Sequence, residues 1–244
     1  MRRRAFVSRN LKEILRDPLT LIFGMGLPVV LLALLSLIQR NIPVPLFEIH
    51  SITPGMAVFS FSFISLFSGF LIAKDRSGSF LLRLFASPLT AGDYILGYAL
   101  PLLPMALLQA IVCILAALLF GLKIGIGILF LLLSLIPTAI LYIGVGMIFG
   151  VSFTDKQVGG FFSIFVNLTA WMSGIWFDVE LVGGVYKGIC EVLPFYHAVE
   201  LARAGLAGDA SGIFPHLIWV LAYAVVVTVI AVLLFKRRMH TGKN

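Results

Sequence analysis

The chain has 244 residues, 60% of them hydrophobic and only 12% charged, with a net charge of +7 and a mean hydropathy of +1.08. A water-soluble fold could not hide that much apolar surface. The basic excess sits at the ends of apolar runs, where it meets lipid headgroups and fixes orientation, so a nucleic-acid-binding function is excluded.

Residues 3–17 form the first expected element, an amphipathic helix at a membrane surface. Phe6, Val7, Leu11, Ile14 and Leu15 occupy one broad side and Arg9, Lys12 and Arg16 the other. Asp17-Pro18 ends this helix and starts the first span, 19–38, which is long enough to cross and is followed by no small-residue cleavage site. A bilayer helix needs roughly 20 apolar residues. Five further runs are read as spans, at 55–73, 95–120, 124–150, 158–177 and 214–235, making six, and all of 1–244 forms one transmembrane domain.

In the second span Phe59, Phe63, Phe67 and Phe70 fall within about 80° of arc at about 100° per residue, with Ser62, Ser65, Ser68 and Gly69 opposite. A face of small residues is either a close-packing surface or a pathway lining. Between the second and third spans, 74–94 exceeds a simple turn. Phe80, Leu81, Leu82, Leu84 and Phe85 make an apolar arc there, opposite Ser79 and Arg83, that ends at Ser87-Pro88. Such a short helix is an interfacial spacer or a handle for a cytosolic partner. The third and fourth spans are an antiparallel pair across Gly121-Leu122-Lys123, and Gly146 and Gly150 in the fourth form a G-x-x-x-G of low specificity.

The fifth span mixes Gly159, Gly160, Phe161, Phe162, Phe165, Asn167, Thr169 and Trp171, which suits an apolar or amphipathic substrate, ordinary bundle packing being the plainer account of each residue. Segment 178–213 is 36 residues long, too long for a structureless link. Short helices are expected at 182–192 and 195–207, broken by Pro194 and closed by Gly205 and Gly208, on the outer surface or re-entering the membrane. With the amino terminus inside, fourteen Lys and Arg face the cytoplasm and only Arg40, Lys123, Lys187 and Arg203 face out. Both termini are therefore expected in the cytoplasm.

No Asp, Glu, Lys or Arg falls within the six spans, and His50, His197, His216 and His240 lie near or beyond the expected boundaries. Ion-coupled carriers keep a titratable group at membrane depth, and intramembrane hydrolases keep a nucleophile with a base or metal ligands. A secondary transporter or channel and an intramembrane enzyme therefore stand as the alternatives to a pump driven from outside the spans. Cys113 and Cys190 are placed too differently for a disulfide and have no metal-ligand spacing. No phosphate-binding G-x-x-x-x-G-K-[ST] loop occurs, since Gly242-Lys243 is followed by Asn244. Energy for uphill transport would have to come from a separate ATPase, and no catalytic or metal-binding residue is assigned to this chain.

Three stretches, in this order and topology, resemble the type-2 ABC exporter permeases. They are Leu15-Arg16-Asp17-Pro18, Lys74-Asp75-Arg76-Ser77-Gly78 through Ala86-Ser87-Pro88-Leu89 to Gly97, and Leu193-Pro194-Phe195-Tyr196 through Glu200 and Arg203 to Gly208. The resemblance covers nearly the whole chain. It implies an all-α polytopic permease of the plasma or bacterial inner membrane that binds no cofactor itself. Its partners would be lipids, a second permease half, and a nucleotide-binding ATPase subunit that holds ATP and Mg. It further implies that Arg9, Lys12, Arg16, Asp75, Arg76, Phe80, Leu81, Arg83, Leu84 and Phe85 meet that subunit. Phe59, Ser62, Phe63, Ser65, Gly69, Phe161, Phe162, Phe165 and Asn167 would line the pathway or the junction between halves, and Pro194, Phe195, Tyr196, Glu200 and Arg203 an outer gate. Two departures from the family pattern are Asp75, where Glu is usual, and Asp178, where Pro is common.

Overall fold

The computed structural model describes residues 2–78 and 90–241, and all regular structure among the described residues is helical. In chain order the helices are α1 (Arg2–Leu15), α2 (Pro18–Gln39), α3 (Ile49–Ser77), α4 (Ala91–Leu119), α5 (Gly127–Ser152) and α6 (Asp155–Met172). Three short helices follow, α7 (Val179–Val182), α8 (Gly184–Val192) and α9 (Pro194–Ala207), before α10 (Ala210–Thr241).

Local chemistry accounts for the boundaries. Pro18 stands at the start of α2 and Pro194 at the start of α9, where a missing N–H is harmless and the ring presets a helical φ. Thr90 and Asp93 close a capping box at the start of α4. Gly208, at φ +72°, ends α9 in the left-handed conformation that side chains resist.

Among the described residues five helices are long and apolar enough to cross a membrane: α2, α3, α4, α5 and α10. The expected fifth span is present as α6 but is shorter than 158–177 and more polar. Its first turn carries Asp155, Lys156 and Gln157, and it stops at Met172 before Gly174 turns the chain at φ +72°. Its 18 residues rise about 27 Å, just under the roughly 30 Å of a hydrocarbon core. Two other boundaries move outward. Helix α3 continues through Lys74, Asp75 and Arg76, so these sit on a rigid helix end and not in a loop, and α10 starts at Ala210, ahead of the expected 214, so that His216 lies more than a turn inside a spanning helix.

Helix α3 is the centre of the bundle. Of its most apolar 18-residue stretch 89% is buried, against 17% for α10 and 28% for α2, whose outer faces carry the exposed leucines and valines a lipid surface accepts. Its most extensive packing is against α5, and there the small-residue face resolves as a packing surface. Ser65 Oγ donates to the carbonyl of Tyr142 at 2.6 Å and Ser68 Oγ to that of Ile143 at 3.2 Å, while Gly146 and Gly150 lie against the α3 backbone at Ser65 and Gly69.

Candidate functional site

Helix α1 docks across the end of α3 and the beginning of α4. Phe6, Asn10 and Ile14, spaced at i, i+4 and i+8, form its buried stripe. Phe6 meets the rings of Tyr94 and Tyr98 edge-on at 6.2 and 5.0 Å, over Gly97, where a Cβ would collide with the Phe6 ring. Asn10 is fully buried, and its Nδ2 donates to the Gly97 carbonyl at 3.0 Å, anchoring α1 to the α4 backbone.

Beside that stripe lies an ion pair. The Arg9 guanidinium donates from both terminal nitrogens to the two carboxylate oxygens of Asp75, at 2.5 and 2.6 Å. Asp75 is only 3% exposed and also accepts from Tyr98 Oη at 3.0 Å. The fork geometry matches a carboxylate and leaves it little unpaired capacity. Burial favours neutral Arg9, but the hydrogen bonds and charge of Asp75 outweigh it, so the guanidinium is held above its ordinary range. One turn on, Lys74 Nζ donates to Glu13 at 2.6 Å, which lowers the Glu13 carboxyl below its usual range. Arg76 reaches the other way, donating to the carbonyls of Val151 and of Phe153, the latter at 2.8 Å, at the corner between α5 and α6. The end of α3 is thus tied to α1, α4, α5 and α6.

Part of the expected partner-facing set is rearranged. Arg9 does not share an outward face with Lys12 and Arg16: it points into the bundle while those two are exposed, because Asp75 on α3 offers it a buried carboxylate. Leu11 and Leu15, expected on the buried side, are 36% and 55% exposed, since α1 turns Phe6, Asn10 and Ile14 inward. Phe80, Leu81, Arg83, Leu84 and Phe85 lie outside the described residues. Sequence reasoning missed Asn10 and Tyr98; the signal was there in Asn10 falling between Phe6 and Ile14 on one stripe. Tyr98→Phe, which removes one hydroxyl from a buried ring, is expected to cost about 1.5 kcal/mol, read as a lowered unfolding midpoint of the purified chain.

A family model described as ABC-2 type transporter matches residues 3–207. The chain belongs to the ABC-2 type transporter family. It is accordingly a multi-pass membrane subunit of an ABC transporter, from a family whose permeases are generally non-catalytic and work with an ATPase subunit. No curated protein matches the chain.

In this ABC-2 chain the residues expected at the pathway separate into two groups. Phe59, Ser62, Phe63, Ser65 and Gly69 are buried within the chain's own packing, Phe63 against Phe162 at 5.4 Å and Phe59 against Trp176 at 6.4 Å. Phe165 is buried among Tyr142, Phe149 and Phe195. Phe161 and Asn167, by contrast, are exposed on α6 together with Gly160, Ser163, Ile164 and Trp171, beside a shallow groove of about 490 Å³.

At the opposite end of the ABC-2 bundle from α1, Arg203 donates to Glu200 at 2.6 Å, to the Gly174 carbonyl at 2.9 Å and to the Ser51 carbonyl at 3.3 Å, joining α9 to α3 and to the turn after α6. Glu200, Arg203 and Tyr196 line a cavity of about 710 Å³ with Trp176 and Phe177, while Phe195 and Pro194 are buried beneath. Arg203→Ala is expected to leave α9 in place, held by Pro194, Phe195 and Ala198, but to raise proteolytic and hydrogen-exchange access around 174–182 several-fold, since two backbone carbonyls lose their donor.

Proposed function

We propose that this chain is the membrane-spanning half of an ATP-driven exporter, and that a separate ATPase subunit, holding ATP and Mg, moves it by bearing on α1 and on the segment between α3 and α4. The carrying observation is the Arg9–Asp75 pair. A push on a surface helix is dissipated unless the helix is fixed to something rigid, and α1 is fixed by a buried bidentate pair to the end of the central helix. Movement of α1 is thereby movement of α3, and through the close α3–α5 contact, of the bundle core.

In this reading both termini are cytoplasmic, α6 completes a set of six spans, and α7 to α9 lie at the outer end around the 710 Å³ cavity. A second permease half, identical or related, packs against the exposed face of α6. Asn167 and Ser163 there bond only to the helix's own carbonyls, at 2.7 and 3.0 Å, and hydrocarbon solvates an exposed amide and hydroxyl poorly.

The test is reconstitution of the chain in vesicles with and without its ATPase subunit. Solute movement is expected only with both the subunit and hydrolysable ATP, and Arg9→Glu is expected to abolish it while leaving insertion intact. Concentration of a solute by the chain alone, with no nucleotide, would replace this reading with that of a secondary transporter.

A further inference from the structure

His197 on α9 and His216 on α10 meet with their Nδ1 atoms 2.8 Å apart. His197 Nε2 lies 2.8 Å from the carbonyl oxygen of Glu191, which accepts only, so that nitrogen carries the hydrogen and His197 Nδ1 is a lone pair. The Nδ1–Nδ1 contact then makes His216 the donor and leaves His216 Nε2 as a free basic nitrogen. His197 is buried and His216 half-buried. His216 brings a titratable ring into the spanning helix α10.

We propose that His197 and His216 form a binding site for one proton that holds α9 against α10. The proton enters at His216 Nε2, and the existing Nδ1–H···Nδ1 contact becomes charge-assisted and persists. Trp219 stacks flat on His197, with centroids 4.9 Å apart and planes 5° from parallel, a face that favours positive charge on the pair. A second proton has only His197 Nδ1 to occupy. It would set two N–H groups against each other and two positive charges in contact, so it opens the junction.

The surrounding charges are consistent with these two steps. Glu191 on α8 and Glu200 on α9 attract protons to His197, and each is shared with a base, Lys187 at 3.6 Å and Arg203 at 2.6 Å. Tyr196 edges both rings, and Tyr223 on α10 donates to the Val192 carbonyl. His50 on α3 and Tyr142 on α5, helices packed on α9, neither hydrogen-bond to nor stack on the pair. Burial holds His197 below the ordinary histidine range. Its neutral form is therefore the one the fold selects: the stability it lends is complete above that ordinary range and is lost as pH falls through the lowered value. The site itself stands without the exporter reading, on which only its placement at the outer face rests.

The experiment uses the full-length chain in lipid nanodiscs with 15N-labelled histidine. A nitrogen–nitrogen coupling through the hydrogen bond is expected between two of the four histidines, surviving the uptake of one proton as pH falls from roughly 8 to 6 and vanishing only when a second binds. His216→Asn, whose amide does not titrate and can turn its oxygen toward a protonated His197 Nδ1, is expected to keep the amide protection of 191–200 and 210–219 and to weaken its pH dependence, leaving only the part that His197 carries. Two rings that titrate independently with no coupling at any pH would overturn the proposal, as would an unchanged pH dependence of exchange in that variant.

Discussion

Arg9→Ala is expected to detach the amino-terminal helix and to destabilise the chain by about 3 kcal/mol, the lower end of the range for breaking a buried ion pair from one side. The cost comes from what is left behind. Asp75 is 3% exposed, and without the guanidinium its carboxylate keeps a single donor, Tyr98 Oη at 3.0 Å, in a site water barely reaches. The lower end applies because Arg9 itself is one-third exposed, which softens the loss on its side. Asp75→Asn leaves a neutral amide in place of the buried charge and should cost less than Arg9→Ala. The two substitutions together should cost less than their sum, because each removes the same contact. Lys12→Ala, one turn away and exposed, should stay within about 0.5 kcal/mol of the unaltered chain. Unfolding midpoints in one detergent, with protease access to residues 2–17, check all four variants. Under the proposed function the ATPase subunit should still associate with Arg9→Ala while its hydrolysis no longer drives transport, since the handle remains but its tie to α3 is gone. An Arg9→Ala chain with unaltered stability and protected residues 2–17 would remove α1 from the mechanism.

How much of this was legible depended on whether a feature is written within one helix or between two. Apolar runs located α2 to α5 and α10 to within about six residues at each end, because a bilayer demands a length of apolar side chains whatever their neighbours. Pro194 and Gly208 marked the limits of α9 because their constraints are local. The inward turn of Arg9 was not legible: periodicity places it with Lys12 and Arg16, and only a carboxylate 66 positions later redirects it. The Ser65–Gly69 face and the Gly146–Gly150 spacing were each ambiguous alone and became a single packing surface once α3 and α5 lay together. The length of α6 was misjudged because Ser173 to Phe177 are apolar enough to extend a span, while Gly174 at φ +72° turns the chain away. His216 stands two residues inside the expected 214–235 span, and its meeting with His197 on α9 was not legible because it is written between two helices.

Gly146→Val is expected to lower the stability of the chain by about 4 kcal/mol, read as a much reduced unfolding midpoint. An added Cβ at Gly146 would stand 2.6 Å from Ser68 Cβ and 2.7 Å from Ser65 Cα, and would also strike the Ser65 carbonyl. These are backbone and near-backbone atoms of the central helix, so no side-chain rotation relieves the clash and α3 must move off α5. Separation also breaks the Ser65 and Ser68 bonds to α5 carbonyls, at 2.6 and 3.2 Å, each worth roughly 0.6–1.7 kcal/mol within a membrane bundle. Added to roughly 1–3 kcal/mol of overpacking, the total is about 4 kcal/mol, a large part of the stability of a typical domain. Gly160→Val on α6 is the discriminating comparison, because a Cβ there meets nothing within 4 Å in the chain. That variant should fold and unfold like the unaltered chain. If the exposed α6 face is where a second half packs, Gly160→Val should weaken the association of two halves without touching the monomer. An effect on folding at position 146 and on pairing at position 160 would separate the two roles that small residues play in this chain.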